Sequence, residues 1–161
     1  MKKSITIKKF CVITVFVVIA STVAIQLFAK PYPLLGDCME PAFKDGQLCL
    51  VNRISPYLRQ HQINDVIIFK HEEKIWISRI VALETNTIQI AEGKIIVNGA
   101  ALQDGIHRIW PGWKYGSYAI NTTLQVPPDH VFVLSDNLSA QHDDSRVFGP
   151  ISKESIMGRV W

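Results

Sequence analysis

The chain has 161 residues, 48% of them hydrophobic, and a formal net charge of +3, which is room for one modest domain. Five of the 17 Lys and Arg residues lie in residues 1–30 and none of the 14 Asp and Glu do, leaving 12 basic against 14 acidic residues, a net of −2, beyond them. That removes the main support for a nucleic-acid partner, and three cysteines in 161 residues are too few for a disulfide-built domain.

Lys2, Lys3, Lys8 and Lys9 open the chain as a basic tail, residues 1–9. Phe10 to Ala29, FCVITVFVVIASTVAIQLFA, then carries no charge, Gly or Pro. As a helix its 20 residues would be about 30 Å long, the thickness of a bilayer's hydrocarbon core. The basic flank orients such a span with the N-terminus in the cytoplasm and the remainder outside. A cleaved secretory signal has a shorter apolar region, about 7–15 residues, and a small-residue site after it. Lys30-Pro31 directly after Phe28-Ala29 suits an uncleaved anchor better. The expected organisation is a cytoplasmic tail, a transmembrane helix at 10–29 and one extracytoplasmic domain at 30–161.

That domain reads as mostly β. Gln47–Asn52, Val66–Lys70, Ile75–Leu83, Thr87–Ala91, Lys94–Val97 and Val131–Leu134 are short, rich in β-branched residues and punctuated by Gly, Asn, Asp or Pro. Glu92-Gly93 and Asn98-Gly99 are turn signals, which makes residues 87–102 a hairpin with its exit. Ser55–Gln60 is the one short helical turn expected. Residues 103–126 read as a long aromatic and Gly-rich loop, in which Trp110, Trp113, Tyr115 and Tyr118 could pack internally or face lipid headgroups.

Three stretches together resemble type I signal peptidases, membrane-anchored serine proteases that remove signal peptides outside the cytoplasmic membrane. GDCMEPAFKDGQLCLVN, residues 36–52, is similar to the family's nucleophile segment. ISRIVALETNTIQIAEGKIIVNGAAL, residues 77–102, is similar to the segment with the general-base lysine. VPPDHVFVLSDNLSAQHDDSRVFGPISKESIMGRV, residues 126–160, resembles its Gly-Asp-Asn…Asp-Ser-Arg box and tail. The resemblance implies a signal peptidase I-like all-β domain on one N-terminal helix, with exported pre-proteins as partners and the membrane lipid beside it. No cofactor is implied and no spacing suits a metal; oligomeric state is left open.

The departures fall at the chemistry. Cys38 stands where the family has its serine nucleophile, and Ser78, just before Arg79, stands where it has the lysine base. A neutral amine can deprotonate the nucleophile, whereas a serine hydroxyl is far too weak a base near neutral pH. A thiol ionises to a few per cent unaided at pH 7, an advantage that burial would remove. Glu84-Thr85-Asn86 replaces a Pro-Gly-Asp, Ser135 a glycine and Leu138 an arginine. The hydroxyl that steadies the base is missing around Ala140–Gln141, and the stretch from Asn137 to Asp144 is one residue longer than usual. In serine proteases, loss of nucleophile or base costs roughly 10⁶-fold in rate, about 8 kcal/mol of barrier.

The framework persists. The resemblance assigns Gly36, Met39, Pro41, Arg79, Ser135, Asp136 and Asn137 to the substrate groove and Asp144, Ser145 and Arg146 to its support. The Cys38 N–H would supply the oxyanion donor, and Gly36 adds no side-chain donor. Fold maintenance through turns and a buried ion pair accounts for the same conservation of type without catalysis. His is the usual partner of a Cys nucleophile, but His142, beside Asp143 and Asp144, reads as a solvent-exposed loop residue, and His61, His71, His107 and His130 as surface residues. Cys49 reads as core packing, with a Cys38–Cys49 bridge open and no Cys-x-x-Cys motif to support a redox role.

These residues imply a catalytically impaired, signal-peptidase-like accessory factor. Family members with degraded dyads occur in Gram-positive pilus gene clusters and assist sortase-dependent assembly as chaperone-like factors, which makes pilin subunits the expected partners. The alternative is an active signal peptidase that uses Cys38.

Overall fold

The structure is a computed structural model and describes residues 2–102, 116–138 and 142–161, with side chains in the first helix described at 9–23, 26 and 28. That helix, α1, spans Lys2–Phe28. Its described residues from Lys9 to Val23 are all exposed. Among the described residues no helix is long and apolar enough to cross a membrane, so the fold does not by itself establish the expected tether.

The domain is mostly β. After α1 come β1 (Ala29–Pro33), β2 (Leu48–Asn52), the short α2 (Ser55–Leu58), β3 (Val66–His71), β4 (Lys74–Leu83), β5 (Thr87–Ala91), β6 (Lys94–Val97) and β7 (Ala100–Ala101). These are followed by β8 (Leu124–Gln125), β9 (His130–Leu134), α3 (Ser145–Phe148), β10 (Ile151–Ser152), a 3₁₀ turn at Lys153–Ser155 and β11 (Ile156–Val160). Each strand expected from the sequence is present within a residue or so. Ala29 belongs to β1, paired with Asn52, and not to the helix. The other additions, β7, β8, β10, β11 and α3, are short or sit in the tail, where pairing rather than composition makes the strand.

The larger sheet has seven strands in the order β1-β2-β11-β3-β4-β9-β10, and the smaller has four in the order β7-β6-β5-β8. Glu92-Gly93 and Asn98-Gly99 have positive φ, 51° and 69°, 51° and 78°, the backbone that closes tight hairpins between β5 and β6 and between β6 and β7. Val81, Ala82, Phe132 and Leu134 from the large sheet meet Ile88, Ile95 and Val126 in one buried cluster, which locks the two sheets together. A second cluster, around Ile67, Phe69, Ile80 and Val133, lies against Trp76 and Phe148. A third holds Cys38 and Met39 with Leu34, Cys49, Val51, Val66, Ile68 and Ile77.

The last strand, β11, inserts between β2 and β3, so the sheet is completed only when the chain's end arrives. Gly158 makes that insertion possible. A Cβ there would stand 2.6 Å from Val51 Cγ1 and 2.8 Å from the Asn52 carbonyl. We expect Gly158→Ala to lower the unfolding free energy by about 1–3 kcal/mol. An unchanged urea midpoint would show that the sheet can open at this point without strain.

Candidate active site

The loop from Leu34 to Gly46 carries the first sequence motif. Its base is closed by the Leu34 N–H on the Gln47 carbonyl and the Gly46 N–H on the Leu34 carbonyl, both 2.9 Å. Gly36 sits at φ 92°, a conformation that favours glycine, and its N–H donates to Asp45 Oδ1 at 2.7 Å. Beyond it the Glu40 N–H bonds the Asp37 carbonyl and the Phe43 N–H bonds the Met39 carbonyl. These turns place Cys38 and Met39 inward, 4% and 1% exposed, while Pro41, after a cis peptide bond, is at the surface. The Asn137 N–H donates to the Cys38 carbonyl at 2.8 Å, and Asn137 Nδ2 donates to the Asp37 carbonyl at 3.2 Å. The first and third motifs, a hundred residues apart in sequence, are thereby joined.

Burial pushes the Cys38 thiol up from 9.0 to about 11. Its own backbone N–H opposes the shift, while the carboxylates of Asp37, Asp136 and Asp144 add to it. A thiolate is disfavoured both by low dielectric and by surrounding negative charge. Cys38 and Cys49 share a buried cluster and are both free thiols.

Ser78, at the place of the base, is fully buried and donates its hydroxyl to the Ile77 carbonyl at 2.7 Å. Side chains alternate along a strand. Ile77 packs into the cluster that holds Cys38, and Ser78 turns with Trp76 and Ile80 toward the other. Turned onto its own strand and far too weakly basic, the hydroxyl cannot serve as a base for Cys38.

Two buried ion pairs hold the remaining motif residues. Arg79 Nε and Nη2 donate to Asp136 Oδ1 and Oδ2 at 2.7 and 2.6 Å, and Nη1 donates to the Asn64 carbonyl at 2.9 Å. Arg146 Nε and Nη2 likewise donate to Asp144 Oδ1 and Oδ2 at 2.7 and 2.5 Å. Asp144 also accepts from the N–H groups of Ser135 and Arg146, both at 3.0 Å. Ser145 Oγ accepts from the Val133 N–H at 2.9 Å. Arg79, Ser135, Asp136, Asp144, Ser145 and Arg146 are all buried, and the carboxylates of Asp136 and Asp144 are near enough for their charge to act on the Cys38 thiol. Ser135 Oγ has no hydrogen-bond partner among the described residues.

His142 is the residue that sequence reasoning misplaced. It is half-buried, not an exposed loop histidine. Its ring packs edge-on to Trp76 with centroids 4.9 Å apart, and it is hydrogen-bonded to the backbone of Ile77. Desolvation lowers its pKa against the opposing pull of Asp144 and Asp143, and Nε2 is buried without a partner among the described residues. The extra residue between Asn137 and Asp144 was the available signal, because a longer loop can reach a neighbouring strand, here β4. His61, His71 and His130 are also half-buried rather than on the surface, and His71 stacks on Phe148 at 4.3 Å. Trp110, Trp113, Tyr115, His107 and Ala140–Gln141 lie outside the described residues. A groove of about 620 Å³ lined by Tyr57, Arg59, His61, Glu84, Asn86 and Lys153 shares no residue with the Cys38 site.

The antiparallel β scaffold thus carries Cys38 on a loop tied to Asn137, with two buried Arg–carboxylate pairs in the same domain. The family described as signal peptidase, peptidase S26, matches residues 7–161. Signal peptidase I V of Bacillus subtilis (strain 168) is 30% identical over 155 residues, covering 91% of each chain. A signal peptidase I of Bacillus amyloliquefaciens is 26% identical over 161 residues, 98% of this chain and 86% of that one. The crystal structure of a signal peptidase I from Enterococcus faecalis V583 superposes with a TM-score of 0.52 at 25% identity, over 65% of this chain and 99% of that one. The chain belongs to the signal peptidase, peptidase S26, family.

Proposed function

We propose that this protein holds segments of exported pre-proteins in a signal peptidase groove without cutting them, as an accessory factor in assembling surface proteins such as pili. The observation that carries the reading is the state of the two dyad positions. The thiol of Cys38 is buried and pushed up to about 11, and the base's place is taken by a buried serine bonded to its own strand. Around them the loop, its tie to Asn137 and both ion pairs are present, a frame that a binding groove needs and that fold stability also uses. An extended peptide held by main-chain pairing requires no nucleophile.

The same reading places α1 in the cytoplasmic membrane as a single-pass anchor, with the N-terminus inside and the β domain outside. Lys2, Lys3, Lys8 and Lys9 and the absence of acidic residues before Asp37 support that orientation. Leu48 and Trp161 are each 67% exposed, and the Trp161 N–H donates to the Leu50 carbonyl on β2, next to the strand that leaves α1. An apolar edge in that position suits contact with lipid.

Crosslinking in membranes, followed by capture of the full chain, tests the proposal. Exported pre-proteins, with pilin precursors among them, are expected on the captured chain, their signal peptides uncut by the purified protein. Cleavage that disappears in Cys38→Ala and after thiol alkylation would replace the proposal with a thiol peptidase. No association, together with surface assembly unchanged after deletion, would overturn it outright.

A further inference from the structure

We propose that His142 is a third lesion in the site: its imidazole fills the room that a base side chain at position 78 would need. The inference rests on the reading above that position 78 is the place of the missing base, and it concerns what now occupies that side of the site.

The geometry is local to β4. Strand β9 pairs with β4 as far as Leu134 opposite Arg79 and no further. Beyond that point the edge of β4 at Ile77 is left open by β9, and the chain comes back to it at His142. The His142 ring is held there from two directions, by its hydrogen bond to the Ile77 backbone and by the edge of Trp76. Trp76 and Ser78 are two residues apart, so they project to the same face. The imidazole and the Ser78 hydroxyl both bond the backbone of Ile77, and Ser78 is fully buried. Serine is small enough to turn back onto the Ile77 carbonyl. A lysine starting from the same Cα carries four methylenes and an ammonium through space already packed at the density of a protein interior, where even one extra methylene is felt.

The buried Nε2, without a hydrogen-bond partner among the described residues, fits this view. A buried acceptor without a donor carries a penalty, and an imidazole kept there despite it is one whose shape is retained. Such a ring keeps the Asp143–Asp144 segment against β4 and maintains the frame of the groove while closing the base's path.

The consequence is that rebuilding the dyad alone fails. Cys38→Ser with Ser78→Lys is expected to leave cleavage of a signal-peptide substrate at background. The triple variant with His142→Ser added is expected to cleave at least about 100-fold faster, within the range over which a misplaced catalytic group suppresses rate. A double variant as active as the triple, or a triple variant that stays at background, overturns the inference. Thermal unfolding provides a readout that does not depend on chemistry. Ser78→Lys should lower Tm steeply in the His142 background, or prevent folding altogether, and lower it much less beside His142→Ser. Equal losses in the two backgrounds, within the scatter expected of independent sites, or failure to fold in both, also overturn it. Cleavage by the unmodified chain would sink the proposed function and leave this inference standing. Additive losses in Tm would do the reverse.

Discussion

Replacing Asp144 by alanine is expected to remove about 3–5 kcal/mol of stability, a large share of the roughly 5–15 kcal/mol that a domain possesses. Arg146 is 1% exposed and Asp144 is fully buried, so the guanidinium would lose a two-point carboxylate partner in the interior, where that loss is least offset by water. The damage spreads, because Asp144 also accepts the N–H groups of Ser135 and Arg146. The Arg146 carbonyl in turn accepts the Ser117 and Tyr118 N–H groups at 2.8 and 3.0 Å. Three segments, at 117–118, 135 and 144–146, are therefore tied together through this pair. Removing both charges together, as in Asp144→Leu with Arg146→Met, should cost less than Asp144→Ala alone, because the desolvated ion disappears with its partner. Urea unfolding followed by circular dichroism reads the difference. A single variant within about 1 kcal/mol of the parent would mean that Arg146 finds water or another acceptor, and that the pair is not a keystone of the fold.

The second large effect is expected in the chemistry of Cys38. Its thiol is pushed from 9.0 to about 11, which lowers the thiolate fraction at pH 8 by about 100-fold. Only the thiolate reacts with iodoacetamide, so native-state alkylation of Cys38 at pH 8 should be slower than in urea by about that factor. The pH dependence of stability has a definite sign. Because burial holds the folded pKa above the unfolded one, the unfolded chain sheds the Cys38 proton first. The contribution of the buried neutral thiol is then complete below pH about 9 and lost as the pH rises toward about 11. Cys38→Ala should flatten the fall in stability over that interval. Alkylation in the native protein at a rate close to that in urea would place the thiol in contact with solvent and reopen the case for a thiol peptidase.

Much of the site was legible in the sequence because it is written in local patterns. The strands at 48–52, 66–71, 74–83, 87–91, 94–97 and 130–134 show in runs of β-branched residues, and the hairpins in Glu92-Gly93 and Asn98-Gly99. The substitutions at Cys38 and Ser78 show by position within motifs, and the splitting of charge before and after residue 30 shows by counting. A buried ion pair in the Asp-Ser-Arg box is likewise readable, since Asp144 and Arg146 are two residues apart and bond each other.

What escaped is what depends on distant partners. β1, β8, β10 and β11 have no composition of their own and exist because a neighbouring strand completes their hydrogen bonds. Arg79 meets Asp136 across 57 residues, and Asn137 meets Cys38 across 99; no spacing rule names those partners. His142 is the clearest case, since its neighbours in sequence are acidic and polar and suggest a solvated loop. Its burial was decided by the open edge of β4 beside Trp76, which no local pattern records. The sequence alone carried the resemblance to a signal peptidase scaffold and the expectation that Cys38 and Ser78 stand at its dyad positions. Only the tertiary structure decided that Cys38 is buried with its thiol pushed up to about 11 and that the His142 imidazole packs against Trp76 beside Ile77, because burial and contact are properties of residues brought together and not of the order in which they occur.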